Sequence, residues 1–150
     1  MAYPICYVLY RYCFPLREPW SPGTLPGQPA GTRLWHVEEA ALGPEDLKIV
    51  TLARAARARV GSAEGAAVRD ETGRTYAAAA VALPSLRLSA LTLAVAMAVS
   101  SGAAALEAAV LVSDGPGPSA DDKGAVKDIG AGALIIHAAS DGTVREILRL

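Results

Sequence analysis

Asp114, Asp121, Asp122 and Asp128 form the densest group of side chains in this sequence that could do chemistry. Carboxylates gathered in space would suit a hard cation such as Mg²⁺. Asp121 and Asp122, however, directly follow Ser119 and Ala120, where negative charge at the start of a helix meets the positive end of its dipole. That structural role accounts for them without a metal. The two histidines, His36 and His137, lie 101 residues apart. His137 closes an apolar run, where a partly buried imidazole bonded to backbone is the commoner outcome. Cys6 and Cys13 have six residues between them, which is neither CxxC metal spacing nor a disulfide framework. The chain holds no GxSxG, P-loop, dinucleotide fingerprint or Cys/His nucleophile pairing.

Residues 1–42 read as an irregular, Pro-rich N-terminal arm. Pro4, Pro15, Pro19, Pro22, Pro26 and Pro29 fall there with both tryptophans, both cysteines and the only phenylalanine. Proline at this density blocks helix and central strand. Disorder, docking of the aromatics on the domain surface, and a mis-assigned start codon are all consistent with that composition.

Residues 43–150 carry regular patterns and form the domain. Pro44, with Glu45 and Asp46 behind it, opens a helix over 44–60. Ile49, Leu52, Ala53, Ala56 and Val60 make its buried face and Gly61 ends it. A hairpin joins Gly65–Val68 to Thr75–Ala79 through Asp70-Glu71-Thr72-Gly73. Ser85 then caps a long apolar helix. A strand over 108–113, a Gly115–Pro118 loop, a helix from Ser119 to about Ile129 and a strand over 133–137 follow. Thr143 to Leu150 is a final strand or short helix. Strands alternating with helices after an opening hairpin predict a mixed sheet covered by helices.

Composition narrows the function classes. A formal net charge of −1 leaves no electrostatic footprint for nucleic acid. Arg54, Arg57 and Arg59 read as a solvated helix face. Leu88 to Leu106 runs 19 residues without a charge, long enough on paper to span a bilayer. Its Ala, Ser and Gly content and the absence of an aromatic belt favour a buried helix followed by a strand. No secretory signal is read, so the expected compartment is the cytoplasm.

The order of elements and the local residues from Pro44 onward resemble the small homo-oligomeric cytidine deaminases. Leu52-Ala53-x-x-Ala56-Arg57 is similar to that family's first helix. Gly65-Ala66-Ala67-Val68 before Asp70-Glu71-Thr72-Gly73 is similar to its Val-Gly-Ala-Ala hairpin. Ser89 to Val95, running on through Ala98-Val99-Ser100-Ser101-Gly102, matches the helix that reads Cys-Ala-Glu-Arg-Thr-Ala-Leu and then Ala-Val-Ser-x-Gly. Val110-Leu111-Val112-Ser113-Asp114 resembles the strand ending in Val-Ser-Asp, and Pro118 opens the segment that reads Pro-Cys-Gly-x-Cys-Arg-Gln in active members. The resemblance implies an α/β fold, three-layer α/β/α, with a mixed sheet of about five strands.

It also implies a chemistry that these residues lack. In the family, zinc held by three Cys, or by His and two Cys, activates a water, and a non-ligating Glu shuttles protons during attack on cytosine C4. The ligand positions here are Ser89, Ser119 and Asp122, and the shuttle position is Leu91. Ala80 and Ala82 stand where the family's sugar-binding Asn-x-Glu pair would fall. Serine hydroxyls are poor zinc ligands and Leu91 carries no proton. No catalytic residue, metal or cofactor is therefore expected. The expected function is an oligomeric interaction or regulatory protein, a dimer or tetramer by analogy with active relatives, packed through Ala90, Ala94, Val95 and Ala98. The alternatives are a sensor that binds a nucleoside or nucleotide in the vestigial pocket, and an active zinc deaminase with ligands supplied in an unrecognised way. Leu83, Leu86 and Leu91 argue against the sensor by filling the cavity.

Overall fold

The computed structural model describes residues 42–150. The expected arm falls almost wholly outside them, and so do Cys6, Cys13 and His36. Leu42, assigned to the arm, is buried against the first helix and the sheet.

Helix α1 spans Pro44–Val60 and is preset by Pro44 at its first turn. The Asp46 carboxylate accepts from the Gly43 N–H at 3.2 Å, which satisfies an otherwise orphaned donor. Gly61 ends the helix at φ 64°, a left-handed conformation that costs a residue with a Cβ. The buried residues are Ile49, Val50, Ala53 and Ala56, while Val60 is exposed. Val60 stands in the last turn at 62% exposed and Leu52 is only partly buried, so the expected buried face stops one turn early.

Strands β1 (Glu64–Asp70) and β2 (Thr75–Ala79) form the expected hairpin. Asp70 organises the turn: its carboxylate accepts from the Thr72 N–H at 2.9 Å, the Thr72 hydroxyl at 2.7 Å, the Arg74 N–H at 2.9 Å and the Tyr76 hydroxyl at 3.1 Å. The chain then makes a small second hairpin, β3 (Val81–Ala82) with β4 (Arg87–Leu88), turning at Pro84-Ser85. Ser85 is thus a turn residue. Helix α2 starts later, at Ala90, and ends at Ser100, capped by Ser89.

Strand β5 (Leu106–Ser113), helix α3 (Ala120–Ile129) and strand β6 (Leu134–Ala138) form a parallel crossover, and β7 (Val144–Arg149) returns antiparallel. The last element is therefore a strand. The five-stranded sheet runs β2-β1-β5-β6-β7 and is mixed, as expected. Among the described residues no helix is long and apolar enough to cross a membrane, because the uncharged run is divided between α2 and β5.

Alternation along the strands sends side chains to two cores. Ala66, Val68, Leu111 and Ile135 meet α2 and α3 on one face. Ala67, Val110, Val112 and Ile136 meet α1 on the other. Three layers result. The approach of α1 to β1 depends on Gly65, where a Cβ would lie 2.3 Å from the Ala53 carbonyl oxygen and 2.6 Å from the Arg57 Cβ. Gly65→Ala is expected to cost about 1–3 kcal/mol by overpacking. Urea denaturation would measure it, and an unchanged midpoint would show that α1 is free to lift off the sheet.

Candidate functional site

The N-termini of α2 and α3 face each other at one end of the sheet, and Ser89, Ser119 and Asp122 meet there. Ser89 is the N-cap of α2, and its hydroxyl oxygen accepts from the Thr92 N–H at 3.1 Å. Ser119 is the N-cap of α3 and accepts from the Asp122 N–H at 3.1 Å. Both hydroxyls then spend their protons on Asp122. The Ser89 hydroxyl donates to Asp122 Oδ1, and the Thr92 hydroxyl donates to the same oxygen at 3.1 Å. Oδ2 accepts from the Ser119 hydroxyl at 2.8 Å and from the Ser119 N–H at 3.0 Å. The carboxylate is 4% exposed and accepts four hydrogen bonds, so the network is closed. Burial pushes the Asp122 pKa upward, but the hydrogen bonds from Ser89, Ser119 and Thr92 outweigh it and hold the group below the ordinary aspartate value.

Zinc chemistry does not fit this donor set. Two neutral hydroxyls and one carboxylate, each already committed to its neighbours, supply neither thiolate nor imidazole. Leu91, the residue at the shuttle position, is fully buried in the core with Ala66, Val68 and Leu111. Ala82 is exposed and Ala80 is half-buried beside the core. Neither offers a polar side chain.

Several expectations need correction. Ala90, Ala94, Val95 and Ala98 do not form an outer packing face, because all four are buried against the chain's own sheet. Leu83 and Leu86 fill no cavity: they stand 52% and 46% exposed on the β3–β4 hairpin. The four aspartates are not brought together. Asp114 takes the Arg57 guanidinium at 3.0 Å and the Ser140 N–H at 3.0 Å, while Asp122 belongs to the serines. Among the described residues no group of three or more His, Cys, Asp or Glu could hold a metal ion. Arg54 and Arg57 are not simply solvated, since they donate to the Ser140 and Ala63 carbonyls at 3.1 and 3.0 Å.

One pairing had no sequence signal. Ser113 Oγ lies 3.2 Å from His137 Nε2, and both residues are buried. The arrangement resembles a nucleophile and its base, but the hydroxyl has a second acceptor within reach, the Pro116 carbonyl. The Ser113 Oγ also lies 3.3 Å from the Pro116 carbonyl oxygen, so its single proton is shared between a carbonyl and the imidazole. The pair ties the Gly115–Pro118 loop to β6, with His137 bonded to a side chain instead of the expected backbone group.

Hydrogen bonds also depress other carboxylates. In Asp70, burial works upward and the donors from Thr72, Arg74 and Tyr76 prevail. Glu71 is lowered by backbone N–H groups, its own and those of Ala105 and Ala104. Asp114 is lowered by Ser140 and then by Arg57 and Arg145, and Asp141 by Thr143. A depressed folded pKa contributes stability that is complete above the unfolded value and lost as pH falls through the folded one. The Tm should therefore drop progressively below about pH 4.5, with the carboxylate contribution flat above about pH 5.5. A Tm that holds from pH 5 to pH 3 would contradict this.

A three-layer α/β/α domain with two helix N-termini converging at one end of a mixed sheet defines the class. A family model described as cytidine deaminase-like matches residues 42–142, and the chain belongs to that family. Crystal structures of cytidine deaminases share the fold. The enzyme from Burkholderia pseudomallei is 20% identical with a TM-score of 0.59, and the one from Mycobacterium leprae is 21% identical with a TM-score of 0.51. Each match covers 68% of this chain and 90% of the other. No curated protein matches.

Proposed function

We propose that this chain is a non-catalytic cytidine-deaminase-like protein that holds no zinc and acts through association, as an oligomeric interaction or regulatory protein. The observation that carries the reading is the state of the would-be reaction centre. Its three ligand positions are bonded to one another through Asp122, and its shuttle position is a leucine sealed in the core. Deamination needs a water made acidic by a metal and a group to move its proton. Neither is provided by these side chains.

Association is supported by exposed apolar side chains. Leu83 and Leu86 on the small hairpin, and Met97 and Val99 on α2, are each at least 40% exposed. Large apolar groups left in water mark contact surfaces when they gather. Elemental mass spectrometry on protein purified in metal-free buffer, followed by a cytidine deamination assay, tests the catalytic half. The expected result is near-zero zinc and no turnover. About one zinc per chain with deamination would overturn it. Sedimentation velocity at micromolar concentration tests the other half, and a monomer would count against it.

The exposure of Leu83 and Leu86 removes one objection to a nucleoside-binding sensor, since neither blocks a cavity. A panel of nucleosides in a thermal-shift assay decides that reading. A ligand that binds only the native state must raise Tm.

A further inference from the structure

We infer that Asp122 does for this fold the mechanical work that a bound metal does at a ligand site: its carboxylate crosslinks the N-termini of α2 and α3, so α3 is held by a hydrogen-bonded bolt and the domain is independent of metal. The inference rests on the zinc-free reading above and says what took the metal's place.

The geometry makes the link between elements explicit. Asp122 Oδ1 faces α2, taking the Ser89 and Thr92 hydroxyls, and Oδ2 faces its own helix, taking Ser119 twice. One oxygen per helix is a bridge; a simple cap would use only the second. Helix α3 has need of it. Of its ten residues only Asp122 and Val126 are buried, with Ala125 and Ile129 partly buried beside Val126, so apolar packing holds it along one narrow stripe. It is preceded by Gly115-Pro116-Gly117-Pro118 and followed by Gly130, and none of these residues has a side chain that could tie α3 to α2. Thr92 marks the difference from an ordinary capping arrangement. It caps nothing, yet its hydroxyl points across to the other helix's carboxylate. The charge is suited to the place, because it sits where two helix dipoles present their positive ends. A charge-assisted network of this kind is stronger than neutral bonds and leaves costly orphans when one member is removed.

Thermal denaturation of the full chain with and without EDTA, alongside zinc content, tests the bolt. The variants are Asp122→Ala, Asp122→Asn, Thr92→Val and the combination of Thr92→Val with each Asp122 variant. EDTA should leave every Tm unchanged. Asp122→Ala should lower Tm by on the order of 10 °C. Asp122→Asn should fall nearly as far, because its amide NH₂ turns a donor toward donors. Thr92→Val should cost about 3 °C in the parent and less than about 1 °C once Asp122 is gone, since the partner it served is missing. If Asp122→Ala does not fold, the Asp122→Asn background is used. There the Thr92→Val shift should still be smaller than in the parent, because an amide oxygen is a weaker acceptor than a carboxylate. Equal Thr92→Val shifts in both backgrounds, or a parental Tm for Asp122→Ala, would overturn the crosslink while leaving the zinc-free reading intact. About one zinc per chain with an EDTA-induced fall would instead overturn that reading.

Discussion

Replacing Ser89, Ser119 and Asp122 together by cysteine is expected to yield a chain that carries about one zinc ion, against near zero in the parent. The three side chains already converge from the starts of two helices, since both serine hydroxyls reach the same carboxylate. Cysteine differs from serine at this point mainly in its larger, softer atom and its accessible thiolate. Helix N-termini lower thiol pKa values and so favour the ligating form. Zinc accepts three thiolates and a water as a tetrahedral set. The triple variant should be poorly folded without metal and gain Tm on adding zinc, because a ligand bound only by the native state stabilises it. It should still not deaminate cytidine, as Leu91 supplies no proton transfer. Elemental analysis and a zinc-dependent melting curve are the measurements. Absence of zinc uptake would mean that the three positions do not share a ligand-site geometry.

Leu91→Glu is expected to destabilise the domain by about 4 kcal/mol or more, enough to unfold much of the population at room temperature in a marginal protein. Leu91 is fully buried among Ala66, Val68, Ala94 and Leu111. A carboxylate placed there loses its hydration and meets apolar neighbours. Leu91→Ala is the control and should cost about 2–5 kcal/mol through the cavity it leaves. The comparison is informative because the family resemblance implies a Glu at this position in active members. Chemical denaturation of both variants settles the matter. A Leu91→Glu protein as stable as the parent would show that a polar pocket persists beside α2, and would revive the nucleoside-binding reading.

How far the fold was legible depended on whether the deciding interaction was local. Pro44 and Gly61 bracket α1 by their backbone chemistry, and Asp70 with Gly73 makes the β1–β2 turn from groups within six residues of each other. Those elements are readable because the chain settles them itself. The start of α2 was not. Ser85 and Ser89 both precede an apolar run, and the pairing of Val81 with Leu88 and of Ala82 with Arg87 decided that Ser85 turns and Ser89 caps. The outward face assigned to Ala90, Ala94 and Ala98 failed for a related reason. Helix α2 has no charged residue to mark a wet side, so only the sheet beneath it determines which residues are buried.

The sequence by itself determined which side chains stand at the positions that the family resemblance singles out. Side-chain identity decides whether a position can ligate zinc or move a proton, and Ser89, Leu91, Ser119 and Asp122 are what they are in any conformation. What these residues do with one another was left to the tertiary structure. Ser89 and Asp122 are 33 positions apart, and neither serine nor aspartate announces a partner at that range. The β5–α3–β6 crossover brings the two helix starts together, and there an ordinary capping aspartate becomes a buried carboxylate with four donors drawn from two helices.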